Sequence, residues 1–137
     1  MQPTQSFVLI EDDEVDILSV KRAFKELDIP NPLVITKNGQ EALDYIENTQ
    51  DPLPALILLD LNMPKMNGIE FLQYIKARAK LKAIPVVILT TSSNYVDINK
   101  SFENYAAGYI VKPMDFTNFK EVIRKVYEYW TSCELPR

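Results

Sequence analysis

Short apolar runs alternate five times with amphipathic stretches, and this alternation constrains the fold more than any other feature of the sequence. The runs are almost free of polar residues, which is typical of parallel strands covered on both faces. The predicted strands are residues 7–10, 33–36, 55–59, 86–89 and 109–111. Repeated strand–helix units predict an α/β fold, in which helices cover both faces of one parallel sheet.

Apolar residues spaced three and four positions apart predict a helix after each strand. The predicted inward residues are Ile17, Val20, Phe24 and Leu27 in the first helix, Ala42, Leu43 and Ile46 in the second (residues 41–48), Ile69, Leu72, Ile75 and Ala79 in the third, and Phe119, Val122, Ile123, Val126 and Trp130 in the fifth (residues 116–130). A weaker pattern predicts the fourth helix over 96–104. Asp13 is a suitable cap for the first helix, Asp115 or Thr117 for the last, and 38–39 reads as a turn.

Length and composition restrict the class of protein. A chain of 137 residues is expected to form one domain, with a core over about residues 6–130 and a short tail over 131–137. A net charge of −4 argues against direct DNA binding, and no apolar run approaches the length of a membrane span. The single cysteine, Cys133, and the lack of a signal peptide predict a cytoplasmic protein. The sequence contains no histidine, which excludes catalysis or metal binding by histidine of this chain.

Candidate site residues follow four of the five predicted strands. The central apolar run stops at Asp60, and a proline, an asparagine and a glycine then require a turn before the next helix. Right-handed crossovers place the carboxyl ends of all parallel strands at one edge of the sheet, where ligands of such folds bind. The side chains expected at this edge are Glu11, Asp12, Asp60, Thr90, Thr91 and Lys112.

Three carboxylates at one edge repel each other, and a single lysine does not compensate them. A hard divalent cation is therefore predicted, and all-oxygen ligation favours magnesium, with manganese as a substitute. Glu11, Asp12 and Asp60 are the candidate ligands, together with the backbone carbonyl of Asn62. The acidic run also permits a ligand pair shifted by one residue, to Asp12 and Asp13. We favour Glu11 and Asp12, because they directly follow the strand and leave Asp13 free to cap the helix.

A carboxylate beside a cation is a possible nucleophile toward phosphorus, in a reaction that depends mainly on positioning and charge neutralisation. The motifs that surround Asp60 make the chain resemble the receiver domain of two-component response regulators over nearly its whole length. The resemblance is carried by residues 11–12, 59–64 with 67–68, 89–91 and 108–113. It implies a flavodoxin-like, CheY-like (βα)5 fold with strand order 2-1-3-4-5.

The resemblance also implies roles for individual residues. Asp60 is expected to accept the phosphoryl group, in a magnesium site made by Glu11, Asp12 and the carbonyl of Asn62. Thr90 and Tyr109 are expected to switch on phosphorylation, and the expected role of Lys112 is that of the family's lysine. Thr91 departs from the pattern, since many receivers carry alanine or another small residue there.

The resemblance implies phosphorelay signalling, with a sensor histidine kinase or phosphotransfer protein as donor. No output module is evident in the sequence, so we expect a stand-alone receiver whose output passes to another protein. The expected output face combines the fourth helix, fifth strand and fifth helix. The aromatic end of the chain is similar to the tails of small receivers that partner bacterial phytochromes, which suggests a homodimer through this face. Closure of the core by Trp130 is an equally good interpretation.

Two other functions are compatible with a strand-end aspartate. A phosphatase or phosphotransferase of the haloacid-dehalogenase kind needs a second acid two residues further on, where this chain has Asn62. A degenerate receiver that serves only as a scaffold disagrees with the complete set of acids, threonine and lysine. We therefore predict a signalling receiver that catalyses only its own phosphorylation and dephosphorylation.

Overall fold

The computed structural model describes residues 1–2, 4–63 and 66–135. Five strands and five helices alternate along this part of the chain, as the sequence pattern predicts. They are β1 (Phe7–Ile10), α1 (Glu14–Glu26), β2 (Leu33–Thr36), α2 (Gly39–Asn48), β3 (Leu56–Leu59), α3 (Gly68–Lys76), β4 (Val86–Thr90), α4 (Tyr95–Glu103), β5 (Gly108–Val111) and α5 (Phe116–Ser132). No helix of the described residues is both long and apolar enough to cross a bilayer.

The five strands form one parallel sheet in the order β2-β1-β3-β4-β5, which confirms the expected fold and strand order. At the carboxyl edge Ile10 pairs with Leu59, and Leu59 pairs with Ile88. Thr90 pairs with Val111 at the same edge. The residues that follow β1, β3, β4 and β5 therefore emerge side by side.

Successive side chains of each strand enter two different cores, and this explains why the strands are continuously apolar. Val8 and Ile10 pack on the side of α2 and α3, whereas Phe7 and Leu9 pack on the side of α1 and α5. β3 and β4 divide their side chains in the same way. Burying each such aliphatic side chain contributes roughly 1.5–3 kcal/mol, so a polar residue on either face of these strands would be costly.

The helix starts follow the capping residues. The Asp13 carboxylate accepts hydrogen bonds from the backbone N–H groups of the α1 first turn, as predicted. Asp115, and not Thr117, caps α5. Asn38 caps α2 by accepting from the backbone of Glu41, so this helix begins at Gly39 and not at residue 41. The apparent turn at 38–39 is thus the cap and the first residue of a helix.

Two helix ends differ from the sequence pattern. α3 ends at Lys76, and the Lys76 ammonium donates to the backbone carbonyls of Lys82 and Ile84. The prediction that Ala79 points inward is wrong, because Ala79 lies beyond this helix end and is exposed. α5 runs two residues past the predicted end, and Trp130 packs partly buried against the core under α5.

Candidate functional site

Three carboxylates meet at the carboxyl edge of the sheet. Glu11, Asp12 and Asp60 each offer an oxygen within 4.8 Å of the other two. Glu11 and Asp60 are buried, and Asp12 is exposed. The positions are set by backbone pairing that continues past the strands, since the Glu11 N–H donates to the Thr36 carbonyl and the Asp60 N–H donates to the Ile10 carbonyl, both at 3.0 Å.

Burial and neighbouring charges change the pKa of Glu11 in this cluster. Burial raises the pKa of Glu11 to about 7, and the nearby charge of Asp60 adds to the rise. The hydrogen bond and the positive charge of Lys112 oppose it but do not cancel it. A site that holds Glu11 ionised at neutral pH therefore needs positive charge beyond that of the lysine.

Lys112 reaches the cluster from the end of β5. Its backbone N–H donates to the Thr90 carbonyl at 2.7 Å. Its ammonium donates to a carboxylate oxygen of Glu11 at 2.6 Å and to one of Asp16 at 2.8 Å. The Lys112 side chain is only 6% exposed. Although burial lowers its pKa, the hydrogen bonds to Asp16 and Glu11 outweigh this effect and raise the pKa above its ordinary value.

Thr90 and Tyr109 lie at opposite ends of a short hydrogen-bonded chain between β4, α4 and β5. Thr90 is fully buried, and its hydroxyl accepts from the Ser92 N–H at 3.5 Å. The Ser92 carbonyl accepts from the Tyr109 hydroxyl at 2.8 Å, and the Ser92 hydroxyl donates to Asp97 at 2.6 Å. Burial, with the charges of Asp97 and Asp60, raises the pKa of Tyr109. The loop after β4 is thereby bound to both α4 and β5.

The connection from β3 to α3 passes close to Asp60. Gly68 begins α3, and its N–H donates to the Leu61 carbonyl at 3.0 Å. A β-carbon at Gly68 would lie 2.6 Å from the Leu61 α-carbon and 2.7 Å from the Asp60 carbonyl oxygen, so no side chain fits there. Asn62 is exposed, and its carbonyl stays a predicted metal ligand. Pro64 of the motif lies outside the described residues.

The donor set fits a divalent cation. All three carboxylates are oxygen ligands, which hard cations prefer, and two of them are withdrawn from water. One lysine faces three negative charges here, and a divalent ion would complete the neutralisation. The cluster contains Glu11 and Asp12, whereas the Asp13 side chain is committed to the α1 cap.

Sequence reasoning missed two acids near the predicted residues. Asp16 binds Lys112, and Asp97 binds Ser92. Both lie in the first turn of a helix, where an acid is readily assigned to the helix dipole alone. In the sequence, the only indication that Asp16 and Asp97 belong near the site is that each follows a strand-end motif by a few residues. Thr91, the departure noted in the sequence, is exposed.

The chain is similar to known regulators over almost its full length. The family model described as the response regulator receiver domain matches residues 7–124. The probable methanogenesis regulatory protein FilR2 of Methanothrix harundinacea is 36% identical over 90% of this chain and 81% of its own. The response regulator Rcp1 of Synechocystis is 35% identical over 93% of this chain and 90% of its own. The crystal structure of the phosphorylated cyanobacterial phytochrome response regulator RcpA has a TM-score of 0.91 and 34% identity, and covers 98% of this chain and 99% of its own. The manganese-bound Rcp1 structure has a TM-score of 0.88 and 33% identity, with coverage of 97% and 99%.

Proposed function

Because the chain belongs to the response regulator receiver family, we propose that it accepts a phosphoryl group on Asp60 and signals by binding another protein. The observation that carries the proposal is that Glu11, Asp12 and Asp60 meet at the carboxyl edge of the sheet, where Lys112 is hydrogen-bonded to Glu11. Relatives of similar length include a protein crystallised in phosphorylated form and one crystallised with manganese. The proposed donor is a sensor histidine kinase or a phosphotransfer protein, as the family membership suggests.

The transfer forms one bond and breaks one. A carboxylate oxygen of Asp60 attacks the phosphorus, and the phosphorus–nitrogen bond of the donor phosphohistidine breaks. The electron pair returns to the imidazole nitrogen, which takes a proton from solvent. Glu11, Asp12, Asp60 and the carbonyl of Asn62 would hold magnesium, which would neutralise charge on the transferred oxygens. Dephosphorylation is a separate hydrolysis, in which water attacks the phosphorus, the bond to the Asp60 carboxylate breaks, and inorganic phosphate leaves.

The output step acts through the β4–α4 loop. A phosphoryl group on Asp60 would attract the hydroxyl of Thr90, whose present partner is the weak donor at Ser92. The Ser92 bonds to Tyr109 and Asp97 would transmit that shift to β5 and α4, which is a population shift between two packings. The proposed output face is formed by α4, β5 and α5. Exposed apolar side chains on these elements and on the loop between α4 and β5 are Tyr95, Val96, Phe102, Tyr105, Val111 and Tyr129.

Intact-mass spectrometry tests the phosphoacceptor. We expect the wild-type protein to gain the mass of one phosphoryl group from acetyl phosphate with magnesium, and to gain none when a chelator replaces magnesium. Asp60→Asn should gain none. Asp44→Asn is the matched control, because Asp44 is an exposed acid on α2 and should leave labelling intact. Equal labelling of Asp60→Asn and the wild type would reject Asp60, and turnover of free phosphate esters would favour the phosphatase alternative.

Light scattering tests the proposed output. If the α4–β5–α5 face supports a homodimer, beryllofluoride with magnesium should increase the molar mass in solution toward twice that of the chain. A charged residue at an exposed position of the face, as in Tyr105→Glu, should prevent the increase. Leu18→Glu on the exposed side of α1 is the control and should still assemble. A mass that stays monomeric in both states would leave the phosphoacceptor assignment intact and reject the homodimer.

A further inference from the structure

Lys112 is held between two carboxylates, and only one of them belongs to the acidic cluster. Its ammonium lies 2.6 Å from a Glu11 oxygen and 2.8 Å from an Asp16 oxygen. The Lys112 side chain is 6% exposed and the Asp16 side chain 31% exposed, so the second ion pair is partly withdrawn from water. Among the described residues these are the two acceptors that the ammonium uses, and Asp60 is not one of them.

The two partners of Lys112 would respond differently when the site binds a cation and Asp60 is phosphorylated. Glu11 also faces Asp12 and Asp60, so a bound divalent cation would draw on its oxygens. Asp16 lies on α1 outside that triangle, so the cation would not draw on its carboxylate. A phosphoryl group would bring up to two negative charges to Asp60, where the unmodified carboxylate carries one. The ammonium would then be attracted away from Asp16 and toward the phosphoryl oxygens.

Resting on the function proposed above, we propose that Asp16 is a positioning residue that holds Lys112 in the unphosphorylated protein and competes with the phosphoryl group for its ammonium. Lys112 follows β5 and Asp16 lies on α1, so the exchange would also release one link between these two elements. The phosphorylated state would be reached at the cost of this ion pair. Removing the Asp16 charge should therefore favour that state.

A purely structural role of Asp16 makes a different prediction. Asp16 lies in the first turn of α1, where any acid interacts favourably with the helix dipole. Glu14 lies in the same turn, is exposed, and pairs with Lys37 at 2.6 Å. Glu14→Gln thus removes the same charge from the same turn without touching Lys112. It is the matched control for Asp16→Asn.

The test measures the affinity for beryllofluoride, a phosphoryl analogue, by 19F NMR at saturating magnesium. We expect Asp16→Asn to bind about fivefold more tightly than the wild type, equivalent to about 1 kcal/mol. Glu14→Gln should stay within about twofold, and Asp16→Glu should return toward the wild-type affinity. In a Lys112→Met background the Asp16→Asn change should have no effect, because the competition acts through the ammonium.

The outcomes separate the two proposals. Failure of the wild type to bind beryllofluoride would overturn both the proposed function and this inference. Normal wild-type binding with an unchanged or weaker Asp16→Asn affinity would overturn only the role of Asp16. If Asp16→Asn also increases the affinity for beryllofluoride about fivefold in the Lys112→Met background, only the role of Asp16 would be overturned, since the effect would then be a general effect of charge. If that background binds too weakly to measure, the NMR signal of the Lys112 ammonium decides, because Asp16→Asn must shift it in the free protein and Glu14→Gln must not.

Discussion

Removing the charge of Asp60 should stabilise the protein when no divalent cation is present. The carboxylates of Asp60, Glu11 and Asp12 approach within 4.8 Å, and the described residues offer the Asp60 side chain no hydrogen-bond donor. Asp60→Asn therefore removes repulsion without breaking an observed bond. At this separation two ionised groups in surroundings of effective dielectric about 20 repel by about 3 kcal/mol. Water at the exposed Asp12 screens part of it, so we expect a gain of about 1–2 kcal/mol at pH 8.

The size of the gain should depend on pH through Glu11. The pKa of Glu11 is raised from 4.5 to about 7 in the folded protein, chiefly by burial and further by Asp60. A raised carboxyl pKa contributes stability that is fully present below the unfolded value of 4.5 and is lost as the pH rises through 7. At pH 5 Glu11 is largely neutral in the folded protein, so Asp60 has less to repel. The gain from Asp60→Asn should therefore be smaller at pH 5 than at pH 8.

Thermal and urea unfolding in the presence of a chelator measure this gain. An increase of about 1–2 kcal/mol corresponds to roughly 5 °C in Tm for a chain of this size. Asp44→Asn removes an equal charge from the exposed surface of α2 and should change the free energy of unfolding by less than about 0.5 kcal/mol. Saturating magnesium should reverse the order, because an ion bound as proposed would stabilise the wild type by about 2.7 kcal/mol at a hundred times its Kd. Destabilisation by Asp60→Asn at pH 8 without cations would refute the argument from repulsion.

Two further variants test the geometry around the site. Gly68→Ala places a methyl group 2.6 Å from a backbone α-carbon, and we expect a loss of about 2–4 kcal/mol in urea unfolding together with weaker magnesium binding. Gly108→Ala is its control, because the added carbon meets only methyl groups at 3.8 Å; an equal loss there would reject the steric explanation. Tyr109→Phe removes the hydroxyl that donates to the Ser92 carbonyl, and should cost about 1 kcal/mol of stability. Tyr109→Phe should still bind beryllofluoride, but the NMR shift changes that this binding causes in α4 should be smaller than in the wild type. Equal shift changes of α4 in the two proteins would exclude Tyr109 from the output step.

The helix ends show where local sequence information was sufficient and where it was not. Asp13 and Asp115 were predictable as caps, because capping depends on backbone N–H groups only two or three residues away. Ala79 fits the three- and four-residue spacing of the apolar residues in α3, yet α3 ends at Lys76. The end is stabilised by contacts of the Lys76 ammonium with backbone carbonyls of the following loop, and a periodic pattern contains no information about them.

The sequence by itself determined the α/β architecture and the groups at the carboxyl edge. Uninterrupted apolar strands must be covered on both faces, and right-handed crossovers then bring Glu11, Asp60 and Lys112 to one edge. Only the tertiary structure decided that the Lys112 ammonium binds Glu11 and Asp16, residues 101 and 96 positions away along the chain. Such pairs depend on how α1 packs beside α5, next to the end of β5, and on which of several nearby acids offers the better geometry. No local pattern of residues specifies that choice.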